Sequence, residues 1–207
     1  MRKFTIILLT MILLISGCSV VRINTKDIDS IINAVLTKSN KLYNQVGQGY
    51  KYYVPAGVTY IDTDEYTNIL YCNGNYYYLY IDLVNYYYKT KLKYKENDNV
   101  YYSRKFNKSD GFKYSGYLEI KEEQNNMYHI DFVYNYSKVE ALVEKEKLNE
   151  SVLNISYILS TIKYNKNVIS MMLDEDYFTN KTGKYNNYKT TDSSKFKLKT
   201  QKEKKES

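Results

Sequence analysis

The 207-residue chain has no tryptophan, one proline (Pro55), one histidine (His129) and two cysteines, Cys18 and Cys72. These shortages exclude chemistry. Metal sites built on several imidazoles cannot form from one histidine, and a nucleophile-histidine relay would rest on His129 alone. No glycine-rich phosphate loop, serine elbow or cysteine-pair motif occurs. No cofactor is implied. What the chain has in excess is tyrosine, 27 residues in all. The runs Tyr76-Tyr77-Tyr78 and Tyr86-Tyr87-Tyr88 read either as a stacking platform for sugars or bases, or as the product of A/T-rich codons, which also favour Asn, Lys and Ile.

The net charge of +7 is unevenly placed. Arg2 and Lys3 lie at the start, and from Thr179 to Ser207 nine lysines face only Asp192, Glu203 and Glu206. Between Cys18 and Phe178 there are 19 basic and 20 acidic side chains, so the stretch expected to fold is close to neutral. The polar, lysine-rich segment from Thr179 onward reads as a disordered tail.

Arg2-Lys3, the apolar run Phe4 to Ile15 and the small residues before Cys18 form the three-part layout of an export signal. A helix from Phe4 to Gly17 would be about 21 Å long, against about 30 Å of bilayer hydrocarbon, too short for a comfortable permanent span. Leu14-Ile15-Ser16-Gly17-Cys18 resembles the lipobox of bacterial lipoproteins. That resemblance implies a diacylglyceryl thioether on Cys18, cleavage before it, further acylation of the new N-terminus, and retention on the outer face of the cell membrane. Two or three acyl chains make a lasting anchor where one is marginal. With the Cys18 sulfur consumed, Cys72 has no disulfide partner, and its apolar, tyrosine-rich setting reads as that of a small buried hydrophobe.

The remaining chain is about 190 residues, one domain with or without a tail. The expected organisation is a signal peptide over 1–17, a tether over 18–26, an α+β domain over 27–178 and the tail over 179–207. Ile28, Ile31, Ile32, Val35 and Leu42 repeat at helical spacing after a capping Thr25 or Asp27, which predicts a helix from Asp27 to Tyr43, ended by Gly47 and Gly49. From Tyr50 the period falls to two. Strands are predicted over Tyr50–Val54, Val58–Asp62 and Thr67–Cys72, then, after an Asn73-Gly74 type I′ turn, from Asn75 to Tyr88. In that last strand Tyr77, Leu79, Ile81 and Leu83 should face the core, with Tyr76, Tyr78, Tyr80 and Asp82 opposite. Lys89 to Asn99 reads as a loop. Further strands are predicted over Val100–Lys105, Tyr114–Lys121 and Met127–Tyr134, with a turn at Asn125-Asn126.

Ser137 to Glu144 admits a capped helix or a strand, and the strand is favoured because a better helix follows. Leu148, Val152, Ile155, Leu159 and Ile162 form an apolar stripe over four turns. Asn165 to Asn167 ends that helix, and Val168 to Leu173 adds a short helical turn. Strands between helices indicate α+β: one antiparallel sheet of about six or seven strands packed with an N-terminal and a C-terminal helix. Tyr50 to Val58, with Ser160-Thr161-Ile162-Lys163-Tyr164, resembles the PsbP-like α/β/α sandwich of some small bacterial lipoproteins. That resemblance concerns fold alone.

No catalytic residue is assigned. His129 shares a strand face with Asp131, opposite Tyr128, Ile130 and Phe132, and is expected on the solvent side. Asp62-Thr63-Asp64-Glu65 fails the calcium-loop template, since Thr67 and Asn73 occupy the sixth and twelfth positions. It reads as a solvated turn, with Asp62 and Asp64 as candidates for another ligand or cation site. Asp82 is the third candidate, because it interrupts a tyrosine-lined face and needs partners if covered. The expected partners are the bilayer through Cys18 and, through the terminal lysines, anionic lipid or wall polymer; nucleic acid is not expected for an exported chain. The favoured function is a non-enzymatic, lipid-anchored envelope module. The alternatives are an enzyme acting on envelope material and a small substrate-binding lipoprotein of a transporter.

Overall fold

The computed structural model describes residue 25 and residues 27–64 and 67–174. The segments expected to be the export signal and lipobox, Glu65 and the lysine-rich tail lie outside the described residues. Helix α1 (Ile28–Leu36) is opened by Asp27, whose carboxylate accepts hydrogen bonds from the Ser30 N–H at 2.9 Å and the Ser30 hydroxyl at 2.7 Å. This satisfies a donor that a helix start leaves open. Ile28, Ile31, Ile32 and Val35 are buried, as their spacing predicts. The helix stops at Leu36 rather than Tyr43, and Leu42 is 54% exposed. Polar side chains end it: the Thr37 hydroxyl bonds back to the Asn33 carbonyl, and the Asn40 side chain accepts the Leu42 N–H. Such local bonds offer the backbone an alternative to the helix.

The strands that follow are β1 (Gln45–Gly47), β2 (Tyr50–Tyr52), β3 (Thr59–Asp64), β4 (Thr67–Cys72) and β5 (Asn75–Ile81). After helix α2 (Leu83–Tyr88) come β6 (Tyr102–Phe106), β7 (Gly116–Glu123), β8 (Met127–Tyr134) and β9 (Ser137–Glu144). Helix α3 (Leu148–Thr161), the short β10 (Lys163–Tyr164) and helix α4 (Lys166–Asp174) complete the described residues. Seven strands form one antiparallel sheet in the order β3-β4-β5-β9-β8-β7-β6, so the α+β class expected from the sequence holds. Gly47 lies within β1 and Gly49 in the turn after it, and β1, β2 and β10 form a separate three-stranded antiparallel sheet. The strand expected over Tyr50–Val54 therefore leaves the main sheet.

The turns follow their residues. Asn73 and Gly74 have φ of 48° and 89°, the left-handed pair that a type I′ hairpin requires. The strand expected to run to Tyr88 is cut at Ile81. Asp82 caps α2 there, accepting the Asn85 N–H at 2.7 Å and the Asn85 side-chain amide at 2.6 Å. Tyr86-Tyr87-Tyr88 is thus helical, not extended. The β8–β9 hairpin turns on Asn135 and Tyr136, both left-handed at φ 53° and 58°. A tyrosine there is uncommon. The Tyr164 hydroxyl holds the turn at 2.7 Å and 3.0 Å from the two residues' carbonyl oxygens, and the Asn135 amide donates to the Ile162 carbonyl.

Helices α1 and α3 pack on each other and on the same face of the large sheet. An α/β/α sandwich carries helices on both faces; α1 and α3 share one. On that face Leu148, Val152, Ile155 and Leu159 of α3, with Ile162 beyond it, meet Leu70, Leu79, Leu118, Ile130, Phe132 and Val139, all at most 2% exposed. The Tyr77 hydroxyl donates to Ser151 of α3 at 3.1 Å, and Tyr134 donates to the Leu36 carbonyl of α1 at 3.2 Å.

Candidate functional site

The alternation that sends Tyr77, Leu79, Phe132 and Val139 toward the helices sends Tyr78, Tyr80, His129, Asp131, Lys138 and Glu140 to the other face. Apart from the half-buried Tyr80, these residues are buried. His129 is 6% exposed, Asp131 5%, Lys138 2% and Glu140 0%. The expectation of a solvent-side His129 is therefore corrected. Its strand lies inside the sheet, between β9 and β7, with Lys121 and Leu142 opposite it on the flanking strands. Burial depresses its pKa, with the Glu140 carboxylate pulling the other way.

Lys138 is the hub of this face. Its ammonium lies 2.5 Å from Glu140 Oε1 and 3.6 Å from Asp131 Oδ2. Buried charges need such compensation, because desolvating each one costs several kcal/mol. Tyr117 donates to Asp131 Oδ2 at 3.2 Å, while Asp131 Oδ1 has no hydrogen-bond partner among the described residues. Burial pushes the Asp131 carboxyl up to about 6, against the opposing pull of Lys138. Tyr117 is raised by burial and then by the Asp131 charge.

The segment predicted as a loop after Lys89 supplies a roof. The Tyr94 ring stacks on Tyr117 with centroids 3.9 Å apart and planes 3° from parallel. The Tyr94 hydroxyl donates to Glu119 at 2.8 Å, Glu96 accepts the Lys105 N–H at 2.7 Å, and the Ser103 hydroxyl accepts the Asn97 N–H at 2.9 Å. These bonds strap the loop to β6 and β7. Burial, reinforced by Glu119, carries Tyr94 to about 12. Along the other side Tyr71, Tyr76 and Tyr78 form a row, with centroids 5.2 Å and 6.5 Å apart. A molecule approaching the Asp131–Lys138–Glu140 cluster would have to displace tyrosine rings first.

The candidates named from sequence are not brought together. Asp82 is spent as the cap of α2, and burial raises its carboxyl above the usual range. Asp62 is exposed on β3, an edge strand, where its carboxylate accepts the Thr63 N–H, and Asp64 is the last residue of that strand. Strand β4 separates β3 from β5. Among the described residues no group of three or more His, Cys, Asp or Glu side chains is placed to hold a metal ion. An open depression of about 630 Å³ lies between Asn44-Gln45 and the Tyr53–Tyr60 segment. Asn44, one of its two amide side chains, is committed to both the N–H and the carbonyl of Val54.

Sequence reasoning missed the charge cluster. The signal was present as Asp131, Lys138 and Glu140 on alternate positions of adjacent hairpin strands, but alternation alone does not distinguish water from a layer of tyrosine. Cys72 is 2% exposed beneath α3, as its setting indicated, and burial raises its thiol pKa. No helix among the described residues is long and apolar enough to cross a membrane. Comparison with protein-family models, curated proteins and solved structures finds no match to the chain.

Proposed function

We propose that this chain is exported, acylated on Cys18 and held on the outer face of a membrane, where its α+β domain serves as a non-enzymatic envelope module. The observation that carries the reading is the position of Cys18 directly after Leu14-Ile15-Ser16-Gly17. Cys72 supports it from the other side, since a thiol 2% exposed with a raised pKa is a poor nucleophile. Cys18 is then the thiol open to modification. A non-enzymatic role is supported by the uses of the carboxylates: Asp82 caps a helix, and Asp131 and Glu140 neutralise Lys138 beneath tyrosines. An envelope-acting enzyme is the second reading, and the Asp131 carboxyl near 6 is the feature that favours it, because a proton donor and acceptor works best near the ambient pH.

Metabolic labelling with an alkyne fatty acid tests the anchor. The wild-type chain should take the label and Cys18→Ala should lose it, while Cys72→Ala should retain it. Equal labelling of the wild type and Cys18→Ala removes the anchor.

A further inference from the structure

The small sheet has two unlike sides. Tyr52 points inward and is 1% exposed. On the outer side the register puts Val46, Lys51 and Lys163 in one row across the three strands, Val46 opposite Lys51 and Lys51 opposite Lys163. Like charges directly opposite one another weaken a sheet, and a carboxylate at either position would relieve the repulsion. None is there. The ion pairs of the described residues use Arg104, Lys121, Lys138 and Lys147, not Lys51 or Lys163. The Lys51 ammonium rests instead over the ring of Tyr43, 3.8 Å from its centroid. Lys41 and Lys113 add to the same field: Lys163 is held below the ordinary lysine value by partial burial and then by the charges of Lys51, Lys113 and Lys41.

The same patch exposes apolar surface. Val46 is 75% exposed, Leu42 54% and Tyr43 53%. Exposed Leu and Val among uncompensated lysines would suit an interface where apolar groups leave water while ammonium groups stay in it. A water-soluble polyanion could match the charge but would offer nothing to Leu42 or Val46.

We propose that the outer face of β1, β2 and β10, centred on Lys51 and Lys163, docks on the anionic headgroups of the bilayer that carries the chain. The proposal rests on the membrane-anchored reading. Anchor and patch are compatible in length: α1 spans about 13 Å, and the nine residues from Ser19 to Asp27 can extend about 30 Å. Tethering keeps the patch at high local concentration near the lipid, so a weak surface is enough.

The test uses the full lipidated chain with phosphatidylcholine vesicles and with vesicles rich in phosphatidylglycerol, and reads amine acetylation residue by residue. Lys51 and Lys163, with Lys41 and Lys113 beside them, should acetylate about threefold or more slowly on the anionic vesicles, while Lys147, paired with Glu150, should be unchanged. Lys51→Glu with Lys163→Glu, checked for an unaltered melting curve, should abolish the slowing at Lys41 and Lys113; Val46→Asp provides a second variant should the double one unfold. Equal rates on the two kinds of vesicle overturn the proposal. So does equal or stronger protection by soluble polyphosphate without vesicles, which would identify a polymer partner. Flotation with phosphatidylcholine vesicles reports the anchor separately. A chain that floats only with anionic vesicles, through Lys51 and Lys163, would keep the docking face and remove the anchor, and a chain that floats with neither would remove both.

Discussion

The two faces of the seven-stranded sheet are built from alternate residues of the same strands, yet they are buried by different means. On one face Leu118, Ile130, Phe132 and Val139 lie under α1 and α3, and exclusion of apolar surface from water stabilises the packing. On the other, Asp131, Lys138 and Glu140 are buried too, at 5% exposure or less, beneath tyrosines rather than helices. Tyrosine suits this second role because its ring covers area while its hydroxyl supplies hydrogen bonds. The first face is sensitive to loss of volume. The second is sensitive to loss of charge.

The largest expected effect separates these two sensitivities. Lys138→Met leaves the Asp131 and Glu140 carboxylates buried without their cation and should destabilise the domain by about 3–5 kcal/mol at neutral pH. Phe132→Ala, on the apolar face, should cost a similar 3–5 kcal/mol through a cavity. Denaturant unfolding at two pH values distinguishes them. As pH falls below about 6 the Lys138→Met penalty should shrink because Asp131 takes up its proton, and the Phe132→Ala penalty should not. If both penalties ignore pH, the charge layer does not control the second face.

Much of this comparison could be read from the residues, and the missing part has a physical reason. The strands over Thr67–Cys72, Met127–Tyr134 and Ser137–Glu144 and the apolar stripe of α3 follow from period and turn chemistry. Those signals are local. Whether Asp131 faces water is not local, because its partner Tyr117 is covered by Tyr94, which arrives from a loop some 23 residues upstream and stacks on it. The end of α1 at Leu36 and the cut at Asp82 were missed for a different reason. In each case a short polar side chain bonding to nearby backbone overrode a favourable apolar pattern. The Lys51–Lys163 row needed a pairing between strands more than a hundred residues apart, which periodicity does not supply.

A smaller effect probes the same buried face through its proton. The Asp131 carboxyl titrates at about 6 in the fold against 3.8 when unperturbed, so the folded state holds the proton more tightly than the unfolded chain. The stability this contributes is fully present below pH 3.8 and is lost as pH rises toward 6. Asp131→Asn keeps the shape and removes the titration. It should leave stability unchanged near pH 3, flatten the decline between pH 4 and 6, and be more stable than the wild type by about 1–3 kcal/mol at pH 7. Lys138 keeps Glu140 in that variant, so its charge remains compensated. A variant less stable at pH 7 would mean that the Asp131–Lys138 attraction outweighs the burial of the carboxylate.

Asp82 offers the smallest effect and the sharpest contrast with Asp131, because both are buried carboxylates whose pKa is raised by desolvation. Asp131 accepts one long hydrogen bond and leaves an oxygen unserved, whereas Asp82 uses both oxygens, at 2.7 Å and 2.6 Å, to start α2. Its contribution is therefore hydrogen bonding to the helix start, which does not require a charge. Asp82→Ala should cost about 1 kcal/mol, the usual loss for a helix cap, while Asp82→Asn should cost only a few tenths because the amide oxygen can still accept the Asn85 N–H. Thermal melts of the two variants check this directly. A penalty for Asp82→Asn as large as that for Asp82→Ala would show that the negative charge itself matters at this position, and would put Asp82 in the same electrostatic class as the cluster around Lys138.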